Sequence, residues 1–572
     1  MNSGNAELIG AAGGRHPSDL LITDAKIVNV FSGEVIEGHI AVKDGYIAGI
    51  GDYEARKTVS VSGDYVVPGF IDPHVHIEST MTTVSQFARG VVARGTTTAV
   101  ADPHEIANVL GTDGIAWMLA SAENQLMNIY FTLPSCVPAT TMETSGAALD
   151  AKTLVPLLSH ERILALGEMM DFPGVIRGDR DVLLKIDAAA DHHKPVEGHA
   201  PALAGKDLAA YIAAGIASDH ECASAGEAME KLRAGMHIMI REGTGARNLD
   251  ELLPIVNHST AGRVMWCTDD RHANDILREG HIDSIMRRAV KAGLDPDTVI
   301  RIGTLNPSSY FGLHRLGAVA PGRRADLVVM PDLEGFDIKA VYCAGKKAAE
   351  NGEALEEAFG YDPGAYPASM NVGLHSLDFR IPAQGTSVRV IGVVPASIVT
   401  SCLIMPAKIE QGRAVSDPER DMIKLAVVER HRATGNTGLG FVSGFGLRSG
   451  AIAGSVAHDS HNIIAAGVDD SDLEAAVGAV VSMGGGLAVV SEGRVTASLE
   501  LPLAGLMSDL PMERVAAKTD ELNKAAMSLG SRLQDPFMTL SFLALPVIPE
   551  LKLTDMGLFD VARFEHVPLF TG

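Results

Sequence analysis

Cysteine is scarce in this chain: Cys136, Cys222, Cys267, Cys343 and Cys402 are five in 572 residues, widely scattered, and no two have Cys-x-x-Cys spacing. Odd in number and dispersed, they exclude a disulfide framework and a thiolate zinc site, and reduced thiols fit an intracellular protein. Long apolar runs are missing too. No stretch reaches the roughly 18 residues that read as a bilayer span. The Gly-rich, polar N-terminus has no basic region followed by an apolar one, so no signal peptide and no membrane partner are expected. The expected location is the cytoplasm. Basic residues are in deficit: 47 Lys and Arg against 71 Asp and Glu leave a net charge of -24. Nucleic-acid affinity rests on Lys and Arg releasing the counterions condensed on phosphates, so this balance excludes a nucleic-acid partner. The acidity suits a well-solvated surface and a small substrate that is not strongly anionic.

What is present falls into three parts. Short strands with turns occupy the N-terminal flank, at Leu20–Thr23, Lys26–Val30, His39–Val42 and Tyr46–Ile50, with Asp44-Gly45 as a hairpin signal between the last two. A matching all-strand patch returns at Ala325–Met330 and Ile338–Lys346. The two flanks, 1–67 and 318–362, are expected to pair into one small β-sandwich. Between them, over 68–317, β-rich runs alternate with helical periodicity: Tyr65–Ile71 leading to His74, then Thr97–Asp102, Ile129–Leu133, Ile163–Glu168, Val196–His199, Ile216–His220, His237–Arg241 and Val264–Asp269. Val84, Phe87 and Val91 share one helical face, and Ala225, Ala228, Met229 and Leu232 share another. Ser224-Ala225-Gly226-Glu227 reads as a capping box that opens the second helix. Eight βα units over about 250 residues predict a (β/α)8 barrel of the TIM type. The remainder, 363–572, is rich in strands and glycine and reads as a separate α+β domain. Its glycines lack a Walker lysine or a strand-GxGxxG-helix setting, so they mark turns and bulges. Its one chemically dense spot is His458-Asp459-Ser460-His461-Asn462, an extra ligand set or a loop that closes over the barrel mouth.

A barrel of this kind carries its chemistry at the C-terminal ends of its strands. His74 and His76 stand at the first, Asp102 at the second, Glu168 at the fourth, His199 at the fifth, His220 at the sixth and Asp269 at the eighth. Alternate strand residues share a face, so His-x-His aims both imidazoles at one metal ion. One polar strand end is ordinarily a helix cap or a satisfied surface group; six metal-type ligands on five strand ends are not. Two neighbouring cations need a bridging anion, and Glu168 is the candidate. His74 and His76 would hold one divalent ion with Asp269, and His199 and His220 the other. Mixed imidazole and carboxylate donors suit Zn, Fe, Mn or Co. A water between two such ions loses a proton near neutral pH, which is the basis of metal-assisted hydrolysis. Asp269 is placed as a ligand and also to take a proton from that water and return it to a leaving group.

The ligand order His-x-His, strand-four bridge, two histidines, aspartate resembles the amidohydrolase superfamily. Within it the chain is most similar to the adenine deaminases, through Pro68–Ser79, Asp102–Val109, Val196–Pro201, Ser218–Cys222 and Arg241–Thr244. Many superfamily members place a carboxylated lysine on strand four, whereas Leu166-Gly167-Glu168-Met169-Met170 has none. The resemblance implies hydrolytic deamination of adenine at C6 to hypoxanthine and ammonia, in purine salvage. It implies two divalent metal ions, with Mn or Fe favoured and Zn also suited, and a homo-oligomer, taken as a dimer. Asp102, His104 and Glu105 become candidates to orient the base or shuttle the ring proton, although Asp102-Pro103 is also ordinary loop-opening chemistry and Glu105 also suits a helix cap. Arg241 and Glu242 either contact the purine or buttress their loop. An alternative activity on the same barrel is hydrolysis of a cyclic amide or imide, as in dihydropyrimidinase-like and allantoinase-like enzymes, which the missing lysine disfavours. A non-catalytic assembly protein would have lost ligands, and none is lost.

Overall fold

The computed structural model describes residues 3–571 apart from 357–358, 361, 365–366, 374–376 and 395–396. Its centre is built from apolar runs too short for helices and buried on both faces, the signature of parallel strands covered by helices. They are β1 (Phe70–Val75), β2 (Thr96–Ala101), β3 (Asn128–Leu133), β4 (Ile163–Met169), β5 (Val196–Gly198), β6 (Ser218–Asp219), β7 (His237–Arg241) and β8 (Val264–Cys267). Strands β1 to β5 pair in parallel and in sequence order, and so do β6 to β8. Two parallel bridges, Val196 to Ile216 and Val75 to Asp269, join the two sheets at both seams and close the barrel. The second seam runs through three expected ligands: His76 N–H donates to the Asp269 carbonyl (3.3 Å) and Asp269 N–H to the His74 carbonyl (3.1 Å).

Val100, Ala165, Met239, Met265 and Cys267 meet Phe311 in an apolar cluster inside the barrel. With that part filled by apolar side chains, the ionisable groups gather at the C-terminal strand ends. On the outer layer, Val84, Phe87 and Val91 of the helix Val84–Val92 are fully buried, as their spacing predicts. Ser224 caps the helix Ala225–Arg233 by accepting the Glu227 N–H (3.3 Å), while Glu227 reaches back to the Ala223 N–H (3.2 Å), one residue before the partner in a standard capping box.

The flanks share one nine-stranded sheet. Tyr65–Pro68 pairs antiparallel with Leu327–Met330, with Val66 opposite Val329 and Val67 opposite Val328. Ile22, Ile27 and Ile40 from the early flank share a core with Leu327, Val329 and Tyr342 from the late one. Asp44 and Gly45 both take positive φ (50° and 80°), the twist that a tight hairpin between Glu34–Lys43 and Tyr46–Ile50 needs.

An eight-stranded sheet dominates the C-terminal part, and the helix Asp470–Ser482 covers one face through Leu473, Ala476, Val477 and Val480. This unit is stitched to the barrel mouth. Thr144, in the segment after β3, donates N–H and Oγ to Asp555 (2.8 and 2.6 Å), and its carbonyl accepts from Asn462 Nδ2 (2.8 Å). Among the described residues no helix is long and apolar enough to cross a membrane.

Candidate metal centre

The centre is organised around Glu168, near the end of β4. Its two oxygens face different imidazoles: Oε1 lies 3.4 Å from His76 Nε2 and 3.3 Å from His104 Nδ1, and Oε2 lies 2.6 Å from His199 Nδ1 and 3.2 Å from His220 Nε2. Asp269 Oδ1 stands 3.5 Å from His74 Nε2 and 3.2 Å from His76 Nε2. Sets of three, His74 with His76 and Asp269, and His74 with Glu168 and His220, bring their donor atoms within 4.8 Å of one another.

The surroundings of His74 and His76 fix which nitrogen each presents. His74 Nδ1 lies 3.1 Å from Glu197 Oε2 and His76 Nδ1 lies 3.1 Å from the Asp102 carbonyl, so both Nδ1 carry the proton and both Nε2 aim a bare lone pair inward. The Asp102 side chain sits behind this layer. Its Oδ2 accepts the backbone N–H of Glu168 (3.0 Å) and its Oδ1 lies 3.6 Å from His104 Nδ1, so it holds Glu168 and His104 and does not line the cavity. The approach requires a glycine before Glu168, since a Cβ at Gly167 would meet Asp102 Oδ2 at 2.1 Å. Glu105 stands further out, with His458 Nδ1 at 3.2 Å, Ser79 Oγ at 3.3 Å and His461 Nε2 at 3.8 Å.

Electrostatics match this packing. Burial alone would raise the carboxyl of Glu168, but His199, His220 and His104 hold it well below the usual carboxylate range. Burial is likewise outweighed at Asp269, by His74, His76 and Arg241, and at Glu105, by His458 and His461. All three carboxyls are therefore held ionised. His74 Nε2 and His199 Nε2 are buried without a hydrogen-bond partner among the described residues. Lone pairs left bare beside ionised carboxylates are costly unless a cation takes them up, so the donor set fits divalent metal.

Several positions take roles that the sequence left open or did not assign. Arg241, at the end of β7, forks onto Glu221 through Nη1 and Nη2 (Nη2 to Oε2 2.9 Å), and its Nη1 also reaches Asp269 Oδ2 at 3.1 Å. Glu221 Oε1 lies 3.6 Å from both His199 Nδ1 and His220 Nε2. Arg241 thus ties the two ligand groups together. Glu242 is turned away, toward Arg288 and the Leu249 N–H, as a buttress. Position next to a ligand was the available signal for Glu221; for Asp270, which accepts from Ser79 Oγ at 2.5 Å, it was the same. The His458–His461 segment, between strands Ala451–Gly454 and Ile463–Gly467, enters the cavity with His458 and Asp459. Met170, Ile398, Phe542, Leu545 and Ile548 complete the wall around a space of about 40 Å³.

A closed parallel barrel with His-x-His on its first strand, a strand-four glutamate, two further histidines and a strand-eight aspartate defines an amidohydrolase, a metal-dependent hydrolase acting on C–N bonds. Residues 65–348 match the amidohydrolase family, and residues 397–565 match the adenine deaminase C-terminal domain. The chain is 52% identical to an adenine deaminase of Desulfatibacillum aliphaticivorans over 564 residues, with 99% of both chains covered. It is also 52% identical to that of Methanothrix thermoacetophila over 566 residues, again with 99% of both covered, and 49% identical to adenine deaminase 2 of Carboxydothermus hydrogenoformans over 565 residues, with 98% of this chain and 99% of that one covered. The chain belongs to the adenine deaminase family.

Proposed function

We propose that this protein hydrolyses adenine at C6 to hypoxanthine and ammonia, with His74, His76, Glu168, His199, His220 and Asp269 holding two divalent cations. The observation that carries the reading is the meeting, in one small cavity, of the barrel's ligand set with a loop of the unit that matches the adenine deaminase C-terminal domain. The donor set suits Zn, Fe, Mn or Co, and the family resemblance favours Mn or Fe among them. Bound there, the cations would supply Lewis-acid activation of the attacking water.

The chain's own groups account for the protons. Water contributes its oxygen to C6 and two hydrogens, one of which ends on N1 and the other on the departing amine. Asp269, ionised and open to the cavity, takes the first proton from the water and is positioned to pass it on. His104 faces the cavity between Glu168 and Asp459, and burial, which disfavours its charge, is outweighed by Asp102, Asp459 and Glu168, so its pKa is raised well above the ordinary value. It is the donor suited to N1, and it regains its proton from the C6 hydroxyl as the carbonyl forms. Glu105 keeps His458 and His461 in place around that position, and Asp102 positions His104 and Glu168. The wall of Met170, Ile398, Phe542, Leu545 and Ile548 offers apolar surface to a flat heterocycle and excludes water. The reading carries with it the purine-salvage role that the family resemblance implies, the cytoplasmic setting that the cysteine content suits, and a homodimer.

Incubating metal-replete protein with adenine tests this, with ammonia release and the ultraviolet change to hypoxanthine as readouts. Equal yields of both products are expected. Inert adenine alongside ring opening of dihydrouracil or allantoin would instead establish the cyclic-amide activity.

A further inference from the structure

Asp459 neither gives nor takes a proton in the transfers above; it is buried (3% exposed) and lines the same cavity as the ligands. Its Oδ1 lies 3.7 Å from His104 Nε2 and 3.9 Å from His458 Nδ1, beyond hydrogen-bond reach, and its Oδ2 has no hydrogen-bond partner among the described residues. The loop that carries it is fixed on both sides. His458 N–H donates to the Ser541 carbonyl (3.2 Å), His461 N–H to the Ala457 carbonyl (2.7 Å), His431 Nε2 to the Ser460 carbonyl (2.7 Å) and Asn462 Nδ2 to the Thr144 carbonyl (2.8 Å). A rigidly held acceptor left bare in a buried cavity is costly by itself and becomes favourable only when a ligand donates to it.

We propose that Asp459 recognises the free purine base by accepting the N–H of its imidazole ring, and so rejects bases that carry a substituent there. The inference rests on the reading of the site as one that deaminates adenine. Adenine has two donor groups, the exocyclic amine and a single imidazole N–H, and its other ring nitrogens are acceptors. The amine is the leaving group and belongs beside Glu168 and Asp269. An acceptor-only carboxylate elsewhere in the cavity is then matched by the imidazole N–H alone. His104 spans the two ends: its Nδ1 faces Glu168 at 3.3 Å and its Nε2 faces Asp459 at 3.7 Å, so a fused two-ring base lying along it meets Glu168 at one end and Asp459 at the other. A nucleoside or an N9-alkyl purine would bury the Asp459 carboxylate against carbon.

The test is a cycle that removes the donor from the ligand and the acceptor from the protein. Inhibition constants for purine and 9-methylpurine are measured on the metal-replete wild-type protein, Asp459→Ala and the near-isosteric Asp459→Asn, with metal content and thermal midpoint as checks on folding. Asp459→Ala is expected to weaken purine by about 10- to 100-fold and 9-methylpurine by less than about 3-fold, with kcat/KM for adenine falling in step with purine. Asp459→Asn, which keeps the shape, is expected to weaken purine by about 10-fold. Equal losses for both ligands, or none, in variants that keep wild-type metal content would overturn the assignment while adenine turnover by the wild type leaves the deaminase reading intact. A wild-type protein that releases no ammonia from adenine defeats that reading and this one together.

Discussion

Glu168 is the residue on which the centre turns, because only a carboxylate offers one oxygen to His76 and His104 and the other to His199 and His220. Glu168→Gln exchanges one acceptor oxygen for an N–H donor. It is expected to lower bound metal below two ions per chain and adenine turnover by about 10³-fold or more, a catalytic loss of about 4 kcal/mol, read by elemental analysis beside kinetics. Glu197 acts one step back, on His74 Nδ1. Glu197→Gln is expected to cost about 10- to 100-fold in metal affinity, measured by competition with a chelator, with the fold intact. At this scale the gathering of the strand-end histidines and carboxylates was legible in the sequence, because the period of two and the barrel rule together say which way such residues point. Arg241 with Glu221, and Asp459 with His104, were not: each pair joins residues far apart along the chain, and only the closed barrel and the docked C-terminal unit bring them together.

Elements followed their local chemistry where that chemistry is self-contained. The hairpin at Asp44-Gly45, the buried face of Val84–Val92 and the cap at Ser224 were all readable from short windows. Ser224→Ala is expected to lower stability by about 1 kcal/mol in denaturant unfolding while kcat/KM stays at the wild-type value, since the cap lies outside the cavity. The sixth strand shows where local reading stops. A strand over 216–220 was expected, but only Ser218–Asp219 pairs as one. Asp219 accepts the N–H of Ala200 (2.9 Å) and of Glu221 (3.1 Å), which turns the chain out of the sheet and aims His220 at Glu168. The ligand geometry thus costs strand pairing.

The whole molecule depends on the C-terminal unit closing the barrel mouth, and one buried cation reports on that closure. Lys552 is fully buried, and its Nζ donates to the carbonyls of Ile398 and Phe542, both at 2.9 Å, two of the residues that wall the cavity. Burial, with no anionic partner among the described residues, pulls its pKa down to about 7. An unfolded lysine titrates near about 10.4. Between those values the unfolded chain binds a proton that the folded one does not, so this group makes stability rise with pH from about 7 to about 10, with its full penalty present below 7. Lys552→Met is expected to flatten that rise in unfolding free energy; an unchanged slope would place the titration elsewhere. The barrel class was legible because hydrophobic periodicity changes along the chain, whereas for the His458–His461 segment closure over the barrel mouth stood only beside an extra ligand set, since no pattern in 363–572 decides between the two.

The central claim, a pair of cations bridged by Glu168, is met most directly by titrating metal-free protein with Mn while following adenine deamination. Activity that climbs to a plateau at two ions per chain is the predicted result. A plateau at one ion per chain would contradict it.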